Sequence, residues 1–220
     1  MMADTLRDYS AVVFDFDGTL ADSYAAIASS VNHVRAQRGL PAMSIDEVKS
    51  HVGRGADYLQ IHTIPGGNLA DDMACYRTHH PTVMTTLTQF LPGAADLLKA
   101  LHRRRKKIGL CSNKPRLFSQ ELLAYLEVSA FFDVVLGPED VPLPKPAPDM
   151  LQLAIKRLAL PKEQVLYVGD MLVDIQTARS AGVRVWAVAT GSEERSVLVD
   201  AKPDRLLTGL PEMLAELERI

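Results

Sequence analysis

Two carboxylates, Asp15 and Asp17, stand directly after the apolar run Ala11-Val12-Val13-Phe14 and before Gly18-Thr19-Leu20. A short β-branched and aromatic run of this kind suits a parallel strand covered on both faces, so both acids belong at its carboxyl end. Ligands of open α/β sheets bind in the crevice beyond such strand ends. Asp and Gly are also ordinary turn residues, and by themselves these positions admit a plain strand-end turn. Other apolar runs stop in the same manner. Ile108-Gly109-Leu110-Cys111 leads into Ser112-Asn113-Lys114, and Val165-Leu166-Tyr167-Val168 leads into Gly169-Asp170, with Asp174 following at helical spacing. Between them Pro144 and Pro146 pin the backbone on either side of Lys145. Acids, a hydroxyl and a lysine at strand ends form an inventory for binding a divalent cation and a phosphate.

The segments DFDGTLADS (15–23), CSNK (111–114), KPAPDM (145–150) and GDMLVD (169–174) occur in this order. As an ordered set they resemble the motifs of the haloacid dehalogenase superfamily of aspartate-nucleophile phosphohydrolases. Within it, the DSYAAI stretch, the VGRGADYL stretch at 52–59 and the surroundings of Lys145 look most like the phosphoglycolate phosphatase branch.

The resemblance implies a role for each matching residue. Asp15 is the nucleophile that forms an aspartyl-phosphate, and Asp17 protonates the leaving alkoxide and then deprotonates water. Ser112 donates to a phosphoryl oxygen, assisted by backbone N–H groups near Asn113 and Gly18. Lys145 neutralises charge on the phosphoryl group and the nucleophile. Mg²⁺ sits on the Asp15 carboxylate, the Asp17 main-chain carbonyl and the Asp170 carboxylate, with Asp174 as an outer or water-mediated partner. For Asp174 the alternative is an exposed acid in the first turn of a helix, where the dipole favours it. Dehalogenase-type and phosphonatase-type relatives lack the second aspartate, so Asp17 favours phosphate ester hydrolysis. Mutase relatives of the β-phosphoglucomutase type carry a histidine shortly after the first motif, where this chain has Ile27.

These residues need a scaffold. From residue 107 onward short strands alternate with helices: strand 108–112, helix 115–126, strand 133–136, helix 148–158, strand 165–168, helix 171–181, strand 183–188, a short strand at 205–207 and a last helix at 211–219. With strand 11–16 and a helix at 94–104, this predicts a three-layer α/β/α, Rossmann-like core around a mostly parallel sheet. Residues 21–89 read differently. Ile27, Val31 and Val34 describe an amphipathic helix stopped by Gly39 and Pro41, Ser44 and Glu47 form a capping box, and Gly66-Gly67 precedes a helix at 69–80. The expected organisation is a core of residues 1–20 and 90–220 with a helical cap of residues 21–89 inserted after the first strand, hinged near 20–22 and 88–92. Such a cap covers the crevice and excludes water.

Substrate choice belongs to the cap. The glycines of Val52-Gly53-Arg54-Gly55 allow a close approach to the core, and the Arg54 guanidinium suits a carboxylate, although a plain surface charge explains it equally well. Tyr24, Asn113 and Lys114 are further candidates for the site rim. His62, His79 and His80 lack metal-ligand spacing. The chain has 220 residues, 47% of them hydrophobic, and a formal net charge of −3, which leaves no general footprint for nucleic acid. Arg103-Arg104-Arg105-Lys106-Lys107 is expected to be a solvated helix end. No apolar stretch long enough for a membrane span occurs, the first eight residues lack a signal-peptide core, and two cysteines imply no disulfide framework. The expected protein is a cytoplasmic monomer or homodimer acting on a small phosphorylated metabolite. 2-Phosphoglycolate is the leading substrate, with pyrophosphate or sugar phosphates as alternatives, and phosphotransfer or simple phosphate binding as more distant ones.

Overall fold

The computed structural model describes residues 5–218. The N-terminal four residues and the expected end of the last helix at 219 lie outside the described residues. Six strands form one sheet: β1 (Ala11–Phe14), β4 (Lys107–Cys111), β5 (Val134–Leu136), β6 (Val165–Gly169), β7 (Arg184–Val188) and β8 (Arg205–Leu207). The order is β5-β4-β1-β6-β7-β8, and every pairing is parallel. A separate antiparallel ribbon pairs β2 (Ala21–Asp22) with β3 (Gln89–Phe90).

The sheet is buried because its strands are apolar on both sides. Val12, Phe14, Ile108, Leu110, Leu166, Val168 and Trp186 pack on one face with Leu97, Leu98 and Leu101 of α5 (Ala94–Arg103), with α6 (Arg116–Tyr125), and with Met213 of α10 (Leu210–Glu218). Ala11, Val13, Cys111, Val165, Tyr167 and Val185 pack on the other with α7 (Asp149–Leu158), α8 (Leu172–Ala181) and Leu198 of α9 (Arg195–Ala201). Alternate side chains of each strand thus feed two cores, and the three layers follow from the period-two geometry of the strand.

The direction in which strands are added reverses at β1. The chain passes from β1 to β4 and β5 on one side, then crosses back to β6 on the other. β1 is therefore the switch strand, and Phe14 is in register with Leu110 and Val168. Asp15, Ser112 and Asp170 all follow closely on these three neighbouring strand ends.

Between β2 and β3 run α1 (Tyr24–Gln37), α2 (Ile45–Lys49), α3 (Ala56–Thr63) and α4 (Leu69–Val83). Ser44 and Glu47 make the expected capping box, the Glu47 amide donating to Ser44 Oγ at 3.2 Å. Arg38 joins α1 to α4 through Asp72 at 2.7 Å. The sequence pattern misses α3, which begins on Gly55 at φ 95° without a side-chain cap. It also misses α9, a β-branched seven-residue helix. α4 runs past the expected stop: Pro81 lies in its last turn, where the absent N–H costs only one helical bond.

The basic run stands, as expected, at the C-terminal end of α5 with Arg103, Arg104 and Arg105 exposed, and it also reaches carbonyls across the fold. Arg104 Nη2 donates to the Leu217 carbonyl at 2.6 Å, Lys107 Nζ to that of Leu158 at 2.6 Å, and Lys106 Nζ to those of Tyr9 and Arg7. Three of its cations therefore tie α10, α7 and the N-terminal segment to the strand entry. Periodicity assigns a helix end but does not show which carbonyls lie across from it.

Candidate active site

Lys145 is the centre of the site. It is 3% exposed, and its Nζ lies 3.0 Å from Asp15 Oδ1, 2.7 Å from Asp174 Oδ1 and 3.2 Å from the Tyr167 hydroxyl. Burial favours a neutral amine, but the Asp15 and Asp174 carboxylates outweigh it and raise the lysine above its ordinary range, so it stays charged. The Lys145–Pro146 peptide is cis. Asn113 clamps the lysine backbone at two points: its Oδ1 accepts the Lys145 N–H at 3.0 Å and its Nδ2 donates to the Lys145 carbonyl at 3.0 Å. The same Nδ2 lies 3.1 Å from the Gly53 carbonyl, connecting this clamp to the helical insertion.

Asp174 is not the exposed helix-start acid that its spacing also allowed. It is fully buried, and both of its oxygens are engaged. Oδ1 takes Lys145 and the Tyr167 hydroxyl at 3.1 Å, while Oδ2 accepts the backbone N–H groups of Asp170 at 3.2 Å and Met171 at 3.0 Å. Tyr167, buried on β6, also stands 3.0 Å from the Cys111 carbonyl, and burial keeps its phenol protonated.

Asp170 has the opposite arrangement. Its Oδ1 accepts from Thr19 Oγ1 at 2.6 Å, whereas Oδ2 is buried with no hydrogen-bond partner. Backbone crowds that oxygen: a Cβ placed on Gly191 would stand 1.5 Å from it, and one on Gly18, whose φ is +82°, would stand 2.5 Å away. Burial, reinforced by the charges of Asp174 and Asp15, raises the Asp170 carboxyl well above the usual carboxylate range. Asp15, Asp170 and Asp174 can place one oxygen each within 4.8 Å of one another. An orphaned carboxylate oxygen in an all-oxygen cluster fits a hard divalent cation.

Asp17 is paired on the other side of the site. Ser23 Oγ donates to its Oδ1, and Lys114 Nζ lies 3.1 Å from the same oxygen. Ser112 Oγ accepts the Lys114 N–H at 3.3 Å and is 2% exposed. Above these residues is an inner cavity of about 40 Å³, walled by Ile27, Val52, Leu59, Tyr76 and Phe118 and carrying Asn113, Lys114 and His80 as its polar rim. Ile27 therefore presents an apolar surface to the cavity.

Arg54 is not brought to this cavity. It is exposed, donates to the Tyr58 hydroxyl at 2.8 Å, and lines an outer cavity of about 650 Å³. Both cavities share Gly55, Ala56, Asn113, Pro115 and Phe118 in their walls. Tyr24 is buried, with its hydroxyl 2.3 Å from where a Gly18 Cβ would stand. Sequence reasoning passed over Thr19 and Tyr167, and weighed His80 only as a metal ligand, whereas it is buried at the cavity. Thr19 lay within the first motif and offered a signal, whereas Tyr167 looked like an ordinary strand residue.

Thr19→Val removes the hydrogen bond that orients Asp170 while keeping the side-chain shape. Partners of this kind are worth roughly 10–100-fold in metal affinity. The half-saturating magnesium concentration for activity should rise by about that factor, with kcat at saturating magnesium little changed; an unchanged magnesium titration counts against a metal on Asp170.

A doubly wound sheet with carboxylates and a lysine converging at its switch point is an architecture suited to phosphoryl chemistry. Residues 12–188 match the family model of the haloacid dehalogenase-like hydrolases. The chain is 30% identical over 222 residues to a phosphoglycolate phosphatase of Photorhabdus laumondii, covering 98% of this chain and 95% of the relative. It is 36% identical over 180 residues to a phosphoglycolate phosphatase of Cereibacter sphaeroides, covering 79% and 82%. The crystal structure of a Bacteroides fragilis haloacid dehalogenase-like hydrolase superposes with a TM-score of 0.87 at 30% identity, over 93% of this chain and 99% of the other. The chain belongs to the haloacid dehalogenase-like hydrolases, and within them it is phosphoglycolate phosphatase-like. No helix among the described residues is long and apolar enough to cross a membrane.

Proposed function

We propose that this chain is a magnesium-dependent, cytoplasmic phosphatase that hydrolyses a small anionic phosphate monoester through an aspartyl-phosphate on Asp15, with 2-phosphoglycolate as the leading substrate. The observation that carries the reading is the division of labour among the acids. Asp15 faces a charged lysine, Asp17 faces the cavity rim, and Asp170 holds one oxygen bare. A module that only bound phosphate would need no acid beside the nucleophile. The names of the relatives favour phosphoglycolate over pyrophosphate.

In the first step an Asp15 oxygen attacks phosphorus as the phosphorus–alkoxide bond breaks, and Asp17 gives its proton to the departing oxygen. In the second, Asp17 takes a proton from water, which attacks phosphorus and breaks the aspartyl–phosphate bond. Lys145 offsets charge on the phosphoryl oxygens, and Ser112 and nearby backbone N–H groups hold them. Magnesium, when bound by the carboxylates of Asp15 and Asp170 and the main-chain carbonyl of Asp17, supplies further charge neutralisation on those oxygens. Asp174 acts as a positioning residue for Lys145, because its own oxygens are taken.

Lys114, 3.1 Å from Asp17 and on the wall of the inner cavity, is placed to meet an anionic leaving group.

Residues 21–89 form the cap in this reading, with the β2–β3 ribbon as its hinge. An inner cavity of 40 Å³ holds only a few waters, so a phosphate ester enters by cap opening. The test is phosphate release from 2-phosphoglycolate, pyrophosphate and several sugar phosphates, with magnesium and with chelator. Selective, magnesium-dependent release from 2-phosphoglycolate is expected. Release that persists in chelator overturns the metal assignment, and isomerised sugar phosphate without free phosphate restores the mutase reading.

A further inference from the structure

His80 is the buried polar group of the cavity that the mechanism above leaves unused. It sits on α4, is 1% exposed, and lines the inner cavity beside Lys114. Its ring is stacked on Tyr76, with centroids 5.0 Å apart and planes 16° from parallel, and it meets Phe118 of α6 at 5.1 Å. Two aromatic neighbours therefore fix the plane of the imidazole.

His80 Nδ1 lies 3.0 Å from Ser30 Oγ, which also stands 3.0 Å from the Ala26 carbonyl and 3.3 Å from His79 Nδ1. With the Ser30 proton on the Ala26 carbonyl, the hydroxyl offers lone pairs to the imidazoles and His80 Nδ1 is the N–H donor. Nε2, on the opposite edge, is a lone-pair acceptor, and it is buried without a partner. Burial, reinforced by the Lys114 charge, pushes the imidazole down to about 3, so the ring is neutral at physiological pH. A buried acceptor with no donor loses roughly the strength of a hydrogen bond, and a ligand that supplies the donor recovers it.

Resting on the reading of the inner cavity as the leaving-group site, we infer that His80 Nε2 is a specificity-determining acceptor that selects phosphate esters bearing a hydroxyl on the carbon skeleton of the leaving group. Lys114 supplies the anion contact beside it, so the matching substrate class is the phosphorylated hydroxy acid or polyol. A bare carboxylate has no proton to give to Nε2, so phosphoglycolate binds without this contact, and hydroxyl-bearing esters form a further substrate class beside it. Ile27, Leu59 and Phe118 supply apolar walls of the same cavity, which His80 shares with the polar Asp17, Asn113 and Lys114.

The test compares glycerate 3-phosphate with the phosphate ester of 3-hydroxypropanoate, which differs only in lacking the hydroxyl, and uses 2-phosphoglycolate as a reference. The natural chain should favour the hydroxyl-bearing ester by about tenfold in kcat/KM, mostly through KM. His80→Phe keeps an aromatic ring between Tyr76 and Phe118 and should bring that ratio close to one by weakening the hydroxyl-bearing ester alone. His80→Gln places an amide oxygen near the Nε2 position and should restore much of the preference. A ratio near one in the natural chain, or an equal loss for both esters in His80→Phe with no recovery in His80→Gln, overturns the inference while hydrolysis itself continues. Failure of every ester to release phosphate overturns the phosphatase reading instead, and this assignment with it.

Discussion

Asp15→Asn should lower phosphate release by about 10⁴-fold or more, because an amide oxygen is a poor nucleophile and no other side chain among the described residues of the site is placed to replace it. Cys111 lies next to Ser112 but is fully buried, and burial pushes its thiol well above the ordinary range, away from thiolate chemistry. Among the described residues, the Ser112 hydroxyl has no side-chain base as a hydrogen-bond partner. The substitution should cost little stability, since an amide still fits beside Lys145. The decisive measurement is a phosphoenzyme trap: the natural chain should carry acid-stable, base-labile phosphate on Asp15 after quenching, and the variant none. Substantial turnover in Asp15→Asn would show that water attacks the ester directly.

Lys145→Met should damage both activity and folding. Removing a preorganised cation from a phosphoryl site costs about 10²–10³-fold in kcat. The stability effect has a separate cause. Lys145 is the common partner of Asp15 and Asp174, and taking one member from a buried ionic group leaves uncompensated charge, worth about 3–5 kcal/mol. The pH dependence follows from Asp174, whose carboxyl is already raised in the folded chain by burial despite the opposing charge of Lys145. Without the lysine it rises further. A carboxyl raised on folding favours the folded state fully below its unfolded pKa, and that contribution is lost as pH rises through the folded value. The variant should therefore melt closest to the natural chain in mild acid and fall further behind as pH increases. Thermal melts at several pH values check this, and a deficit that stays constant with pH would remove Asp174 from the account.

The legible and illegible parts of the molecule divide along physical lines. The strands were legible because apolar runs such as Ala11–Phe14 and Val165–Gly169 are buried on both faces and end abruptly in polar residues. The helices with strong one-sided patterns, α5 and α7, were legible for the same reason. α3 was not, because Gly55 gives no side-chain cap and the helix mixes buried Gln60 and Thr63 with Leu59. The basic run from Arg103 to Lys107 was legible as an exposed helix end, but the carbonyls it reaches were not, because they are up to 113 positions away in the chain. Arg54 shows the same limit. Its chemistry suits a carboxylate, but where its side chain lies depends on Tyr58 and on the path of the loop.

By itself, then, the sequence determined the strand ends, the acids and cations they present, and a helical block between β1 and β4, because these depend on local order and on the period of apolar residues. Tertiary structure decided the partnerships. Only folding reveals that Asp174 holds Lys145, that Thr19 holds Asp170, that Lys114 holds Asp17, and that His80 keeps one nitrogen bare. Each is a contact between residues well separated in the chain or an orphaned atom. Its strength comes from burial in a low-dielectric interior, a property of the assembled molecule that residue order does not carry.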